Sequence, residues 1–97
     1  MWQGAVLAAL HKAKRYPRDA QRARQQGVPQ IHFTMNREGK VLSVTLEHSS
    51  GFHALDEEAL ALPRRAQPLP KPPEEIRPGQ DMIELVVPIE FFLRVRP

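Results

Sequence analysis

Two runs of alternating side chains joined by a tight turn constrain this chain more than any other feature. Ile31, Phe33 and Met35 alternate with His32, Thr34 and Asn36. After Asn36-Arg37-Glu38-Gly39, Leu42, Val44 and Leu46 alternate with Ser43, Thr45 and Glu47. A period of two places one apolar and one polar face on each of two strands. The turn has Asn where its side chain can bond the backbone and Gly where a positive φ is tolerated, which predicts a type I turn closed by a bulge. The bulge accounts for Val41 and Leu42 both being apolar, because one extra residue shifts the phase. A lone hairpin is marginal in water, so its apolar face calls for a third strand and a helix.

The third strand is legible near the end of the chain. Ile83, Leu85, Val87, Ile89, Phe91, Leu93 and Val95 are apolar at every second position, against Glu84, Glu90 and Arg94. This predicts an extended segment of up to some 13 residues from Ile83 to Val95. Pro88 in its middle has no backbone donor, which assigns the segment to a sheet edge with the proline nitrogen turned away from the neighbouring strand. Met82, Val86 and Phe92 put more apolar surface on the outer face than a plain solvent face needs.

Helices fill the intervals. Trp2, Val6, Leu7 and Leu10 fall at helical spacing from Trp2 to Arg15, where Pro17 stops the run. A short helix is expected from Pro17 to Gln26, with Gly27 just past its end. From His53 to about Ala66, Leu55, Ala59 and Leu62 share a face, with acids in the first turns and Arg64 and Arg65 at the end. Pro63 is expected to kink or stop this helix near Leu62. The stretch Pro68-Leu69-Pro70-Lys71-Pro72-Pro73 should cross the surface as polyproline II. The resulting fold class is α+β, a three-stranded antiparallel sheet with helices packed on one face.

At 97 residues the chain is one small domain with a thin core, and without cysteine it has no disulfide or thiolate metal site. No stretch is long and apolar enough to cross a bilayer, and the basic residues of the first 15 follow the apolar ones, opposite to a signal peptide. A net charge of +3 gathers in Lys12, Lys14, Arg15, Arg18, Arg22 and Arg24, yet only 6% of residues are aromatic, which argues against stacking on single-stranded nucleic acid. Ser50, His53 and Asp56 lie within one loop and helix start, too close in sequence to converge as a catalytic relay. His48, His53 and Glu57 have metal-compatible spacing but no evident cage.

Read together, Tyr16-Pro17, the Ala20 helix, Gly27, Phe33, Gly39-Lys40-Val41, Ser49-Ser50-Gly51, Leu55-Asp56, Ala59, Arg64-Arg65 and Val87-Pro88-Ile89-Glu90-Phe91 stand in the order found in the TonB C-terminal domain family, which the chain resembles over nearly its whole length. Pro29, Pro63 and Ala13 depart from the family pattern. The resemblance implies a periplasmic, non-enzymatic, cofactor-free docking domain of an inner-membrane-anchored protein, whose membrane anchor and Pro-rich spacer would lie outside this chain. It implies a TonB-dependent outer-membrane receptor as partner, offering an extended TonB-box peptide to the third strand. A proton-driven inner-membrane motor complex would act through the missing N-terminal part, driving siderophore, haem or cobalamin uptake.

Open edge strands serve as templates for β-augmentation. The edge predicts Glu84, Val86, Pro88, Glu90, Phe92 and Arg94 as partner-binding residues, with an incoming peptide leaving a gap opposite Pro88, and the resemblance adds Ala13, Tyr16 and Pro17. No nucleic acid is expected as partner, and the domain is expected as a monomer or a weak, strand-swapped dimer. A TolA-like envelope domain and a small basic nucleic-acid-binding domain are the alternative readings.

Overall fold

The computed structural model describes residues 1–94. It contains α1 (Trp2–Ala13), α2 (Arg18–Arg22), β1 (Gln30–Asn36), β2 (Val41–His48), α3 (His53–Ala66) and β3 (Met82–Pro88). The strands form an antiparallel sheet in the order β2-β1-β3, so the first strand in sequence is central. Ile31, Phe33 and Met35 of β1 are fully buried and face Val6, Leu10, Leu55, Ala59 and Leu62 from the helices. The fold is the expected α+β arrangement, with a single core between sheet and helices.

The hairpin turn has the expected chemistry. Asn36 Oδ1 accepts from the amides of Glu38 and Lys40 at 3.0 and 2.9 Å. Gly39 takes a φ of 88°. A bulge falls where the register moves from Thr34↔Ser43 to Met35↔Val41. Its effect on the apolar face differs from the sequence expectation, because Val41 turns inward and Leu42 is left 44% exposed. Leu46, opposite Ile31, is also 37% exposed.

Three helix expectations are corrected. First, α2 is shorter than Pro17 to Gln26, and its end is closed by Arg24 at φ 54° rather than by Gly27. Gly27 instead bridges to Phe91, and a Cβ there would come within 3.1 Å of Ser50. Second, α1 ends at Ala13, two residues before Arg15. Third, of the kink or stop expected at Pro63, the stop does not occur, and α3 runs on to Ala66. The buried proline ring packs in the core, and the Glu58 and Arg65 side chains pair across the interrupted turn at 2.6 and 2.8 Å. That pair bridges the place where the missing proline amide leaves the helix ladder short.

The crossover after α3 is fastened down rather than laid loosely over the surface. Gln67-Pro68 is a cis peptide, which a continuous polyproline II run does not contain, and Leu69 and Pro72 are buried. Leu69 donates to Gly39 O at 2.8 Å, Gln67 Oε1 accepts from the Val41 amide at 2.9 Å, and Trp2 Nε1 donates to Pro70 O at 2.8 Å. The Arg37 guanidinium gathers the carbonyls of Pro73, Ile76, Arg77 and Gln80. These bonds fix the approach to Met82 and therefore the start of β3.

The third strand is shorter than expected. β3 pairs with β1 from Asn36↔Met82 to Gln30↔Pro88 in one unbroken register. Beyond it the same alignment continues only as the Ile89 amide to Pro29 O and the Gly27↔Phe91 bridge. Pro29 has no N–H to return to Ile89, so the ladder loses a rung there and the regular strand ends. Val95 of the expected segment lies outside the described residues.

Candidate functional site

Alternate residues of an antiparallel strand turn both backbone groups toward the same neighbour. Ile89 donates to Pro29 O at 2.9 Å, and Phe91 and Gly27 exchange amide-to-carbonyl bonds of 2.9 and 3.0 Å. The odd-numbered positions thus face β1. Met82, Glu84, Val86, Pro88 and Glu90 turn their backbone groups to the opposite flank, where no strand lies among the described residues. Pro88 therefore places its missing donor on the open side, as its sequence position implied.

The side chains of the same positions stand on the sheet face that the helices leave bare. Val86 and Phe92 are 52% and 60% exposed, and Glu84, Glu90 and Arg94 are exposed too. The odd positions Ile83, Val87, Ile89 and Phe91 are buried. Beside the flank, two clefts of about 400 and 340 Å³ separate α1 from β3. Both are lined by Leu7 and Pro88, so the open edge borders a mainly apolar trough.

The three expected residues around the end of α1 occupy different places. Ala13 packs toward the core, and its carbonyl accepts from Arg65 Nη1 at 3.1 Å. Tyr16 sets its ring edge against Phe91, with centroids 5.4 Å apart and planes at 87°, and donates its hydroxyl to Gln25 O. Burial pushes its phenol pKa up. Pro17 is the N-cap residue of α2. Of the three, Tyr16 touches the last extended segment, whereas Glu84, Val86, Pro88, Glu90, Phe92 and Arg94 belong to that segment.

Lys14, which was not among the expected site residues, reaches the edge itself. Its ammonium donates to Glu90 O and lies 5.5 Å from the Phe91 ring centroid. Burial draws its pKa down, opposed by the Glu90 carboxylate. The backbone on both sides of Lys14 is held from α3. Glu58 Oε2 accepts from the Arg15 amide at 2.8 Å, and Arg65 reaches Ala13 O. The Glu58 hydrogen bonds raise the Arg65 pKa, against the effect of burial. Glu58 and Arg65 are seven apart on one helix, a spacing that shares a face and was readable in advance. Lys14 and Glu90 are 76 residues apart and carry no local signal.

The loop before α3 is a cap rather than a relay. Asp56 accepts from the Ser49 hydroxyl, the Ser50 amide at 2.8 Å and the Ser50 hydroxyl at 2.7 Å. Burial works against its ionisation, but these bonds, with His53 nearby, hold its carboxyl below its ordinary value. His53 turns to Glu57 at 2.6 Å, so serine, histidine and aspartate are not strung together as nucleophile, base and orienter. Among the described residues no group of three acidic, histidine or cysteine side chains is placed to hold a metal, and no helix is long and apolar enough to cross a membrane.

Known proteins share this arrangement. The family model described as Gram-negative bacterial TonB protein C-terminal matches residues 12–93. Protein TonB of Pseudomonas putida is 41% identical over 92 residues, covering 95% of this chain and 37% of that protein. Protein TonB of Pasteurella multocida (strain Pm70) is 35% identical over 68 residues, covering 70% of this chain and 27% of that protein. The chain thus spans about a third of the length of these relatives. The solution structure of Helicobacter pylori TonB-CTD (residues 194-285) superposes with a TM-score of 0.74 at 25% identity, covering 99% of this chain and 98% of that one. The structure of HasB CTD superposes with a TM-score of 0.62 at 46% identity, covering 97% of this chain and 71% of that one.

Proposed function

This chain belongs to the Gram-negative bacterial TonB protein C-terminal family, and from that premise we propose that it is the periplasmic docking domain of an inner-membrane-anchored energy transducer. It binds outer-membrane receptors by adding their extended TonB-box segment to the free flank of β3. Through that contact it passes on energy drawn from the proton-motive force by a motor complex that engages the transducer's N-terminal part. The transported cargo is a siderophore, haem or cobalamin, and the domain itself carries out no chemical step.

The observation that supports this reading best is the run of outward-facing backbone groups at Met82, Glu84 and Val86, laid in unbroken register on a rigid central strand. Each added main-chain hydrogen bond nets about 1 kcal/mol. A handful gives an affinity moderate enough to be made and released in each transport cycle. Val86, Phe92, Glu84, Glu90 and Arg94 flank the added strand and select among sequences, while Ala13, Tyr16 and Pro17 sit around the end of α1, where Tyr16 meets Phe91.

The test is a titration of the isotopically labelled domain with peptides copied from the extended N-terminal segments of outer-membrane receptors. Amide shifts centred on Met82 to Phe92, absent with a version carrying proline at alternate positions, are expected. Shifts confined to the helices or to β2 would overturn the proposal.

A further inference from the structure

The free flank of β3 is not uniform. Met82, Glu84 and Val86 offer a donor and an acceptor each on that side. Pro88 offers only its carbonyl, and the Glu90 carbonyl is already taken by the Lys14 ammonium. Resting on the strand-addition reading, we infer that Lys14 is a built-in competitor for the edge, closing its far half to an incoming chain and confining initial pairing to Met82 through Val86.

Lys14 follows the last turn of α1 in an extended conformation, φ −62° and ψ 136°, and so leaves the helix toward β3. The Glu58–Arg65 pair, with Glu58 only 9% exposed at its side chain, bolts down the peptide groups before and after it. The ammonium lies near the Phe91 ring, which Tyr16 meets edge-on. A lysine attached this way is not a freely waving surface charge. A strand that extends past Pro88 must displace it, whereas one that stops at Val86 does not.

The contact therefore acts as a gate on register and length. Partners that pair only with Met82 to Val86 bind without disturbing it. Partners long enough to continue past the Pro88 gap reach Glu90 only by moving the Lys14 ammonium aside, at the cost of one solvent-exposed hydrogen bond. The gate adds to the edge protection that Pro88 provides against unwanted strand pairing.

The probe is an N-acetylated, C-amidated peptide of alternating threonine and valine, long enough to span Met82 to Phe92 and free of charge. Lys14→Met keeps the stem but removes the donor. It is expected to bind the probe about fivefold more tightly, the factor that corresponds to one net hydrogen bond. Its amide perturbations should extend from Met82, Glu84 and Val86 to Glu90 and Phe92. Lys14→Arg, which retains a donor, is expected to behave as wild type. Binding by Lys14→Met that is weaker than, or within twofold of, wild type would overturn the gate. A peptide-free readout separates this from failure of strand addition itself. The Glu90 carbonyl carbon resonance should move in Lys14→Met and stay in place in Lys14→Arg. If neither protein binds the probe, an unmoved Glu90 resonance overturns the gate, and a moved one upholds the contact while strand addition falls.

Discussion

The two outer strands of the sheet flank the same central strand but present their free sides differently. β2 meets β1 through two register shifts, between Gln30 and Ile31 and between Thr34 and Met35. Its first amide, at Val41, is taken by Gln67, and the crossover bonds the adjacent turn through Leu69 and Gly39. β3 meets β1 without a shift, and among the described residues it is guarded by a missing donor at Pro88 and a lysine at Glu90. Bulges twist an edge out of reach of another strand, whereas a straight edge with local blocks remains a template. The β2 edge is thus shifted in register and tied to the crossover at its start, and the β3 edge runs straight with two local blocks.

The largest effect is expected from breaking the tie between the hairpin turn and the crossover. A Cβ on Gly39 would lie 2.1 Å from Leu69 O at a φ of 88°, so the turn and crossover cannot both stay in place. Gly39→Ala should cost about 3 kcal/mol, read as a lower denaturation midpoint at unchanged m-value. A loss below about 1 kcal/mol would mean that Leu69 is not held against the turn.

Arg65→Met is expected to rank second. It leaves the Glu58 carboxylate partly buried without its cation and frees Ala13 O, at a cost of about 2 kcal/mol after allowing for the partial exposure of Arg65. Because the same pair holds the backbone around Lys14, the Glu90 carbonyl resonance should also move. A stability loss with that resonance unchanged would separate α3 from the open edge.

Asp56→Asn touches neither edge and serves as the internal reference. Losing the carboxylate that gathers Ser49 and Ser50 should cost about 1 kcal/mol near neutral pH. The folded-state pKa of Asp56 lies below the unfolded one. Its contribution is therefore complete above the ordinary carboxylate range and is lost as pH falls through the lowered value. Wild type and variant should converge in acid, and a difference that grows as pH falls would contradict the hydrogen-bonded carboxylate.

The smallest effect on stability belongs to the open side. Val86 is 52% exposed, and Val86→Thr should change unfolding free energy by less than about 0.5 kcal/mol. Peptide affinity should fall two- to threefold, measured by titration, because the backbone pairing stays and only the flanking apolar contact is lost. A tenfold loss would make side chains rather than main chain the source of affinity.

How far these contrasts were legible in the sequence follows from their range. The period of two at Ile31 to Met35 and Ile83 to Phe91 needs only adjacent residues, and Pro88 declares an edge by its own chemistry. The inward turn of Val41 in place of Leu42 was hidden because a bulge can throw either neighbour outward. Pro63 allowed either a kink or a stop, and the helix does not stop, its proline ring buried and the Glu58–Arg65 pair spanning the turn. Lys14 could not be found at all, since its role arises from a contact with Glu90 that exists only after α1 and β3 are brought together. The edge was written in the pattern of one strand, and its guard in the tertiary fold.

The most direct test is residue-resolved amide hydrogen exchange of the free and peptide-bound domain. In the free protein Glu84 and Val86 should exchange fast while Leu85 and Val87 are protected, an alternation that β2 need not share. Addition of a receptor-derived extended peptide should slow Glu84 and Val86 and leave the β2 amides as they were. Protection of Glu84 and Val86 already present in the free monomer, or new protection appearing along β2 instead, would contradict the choice of β3 as the edge that takes up a partner strand.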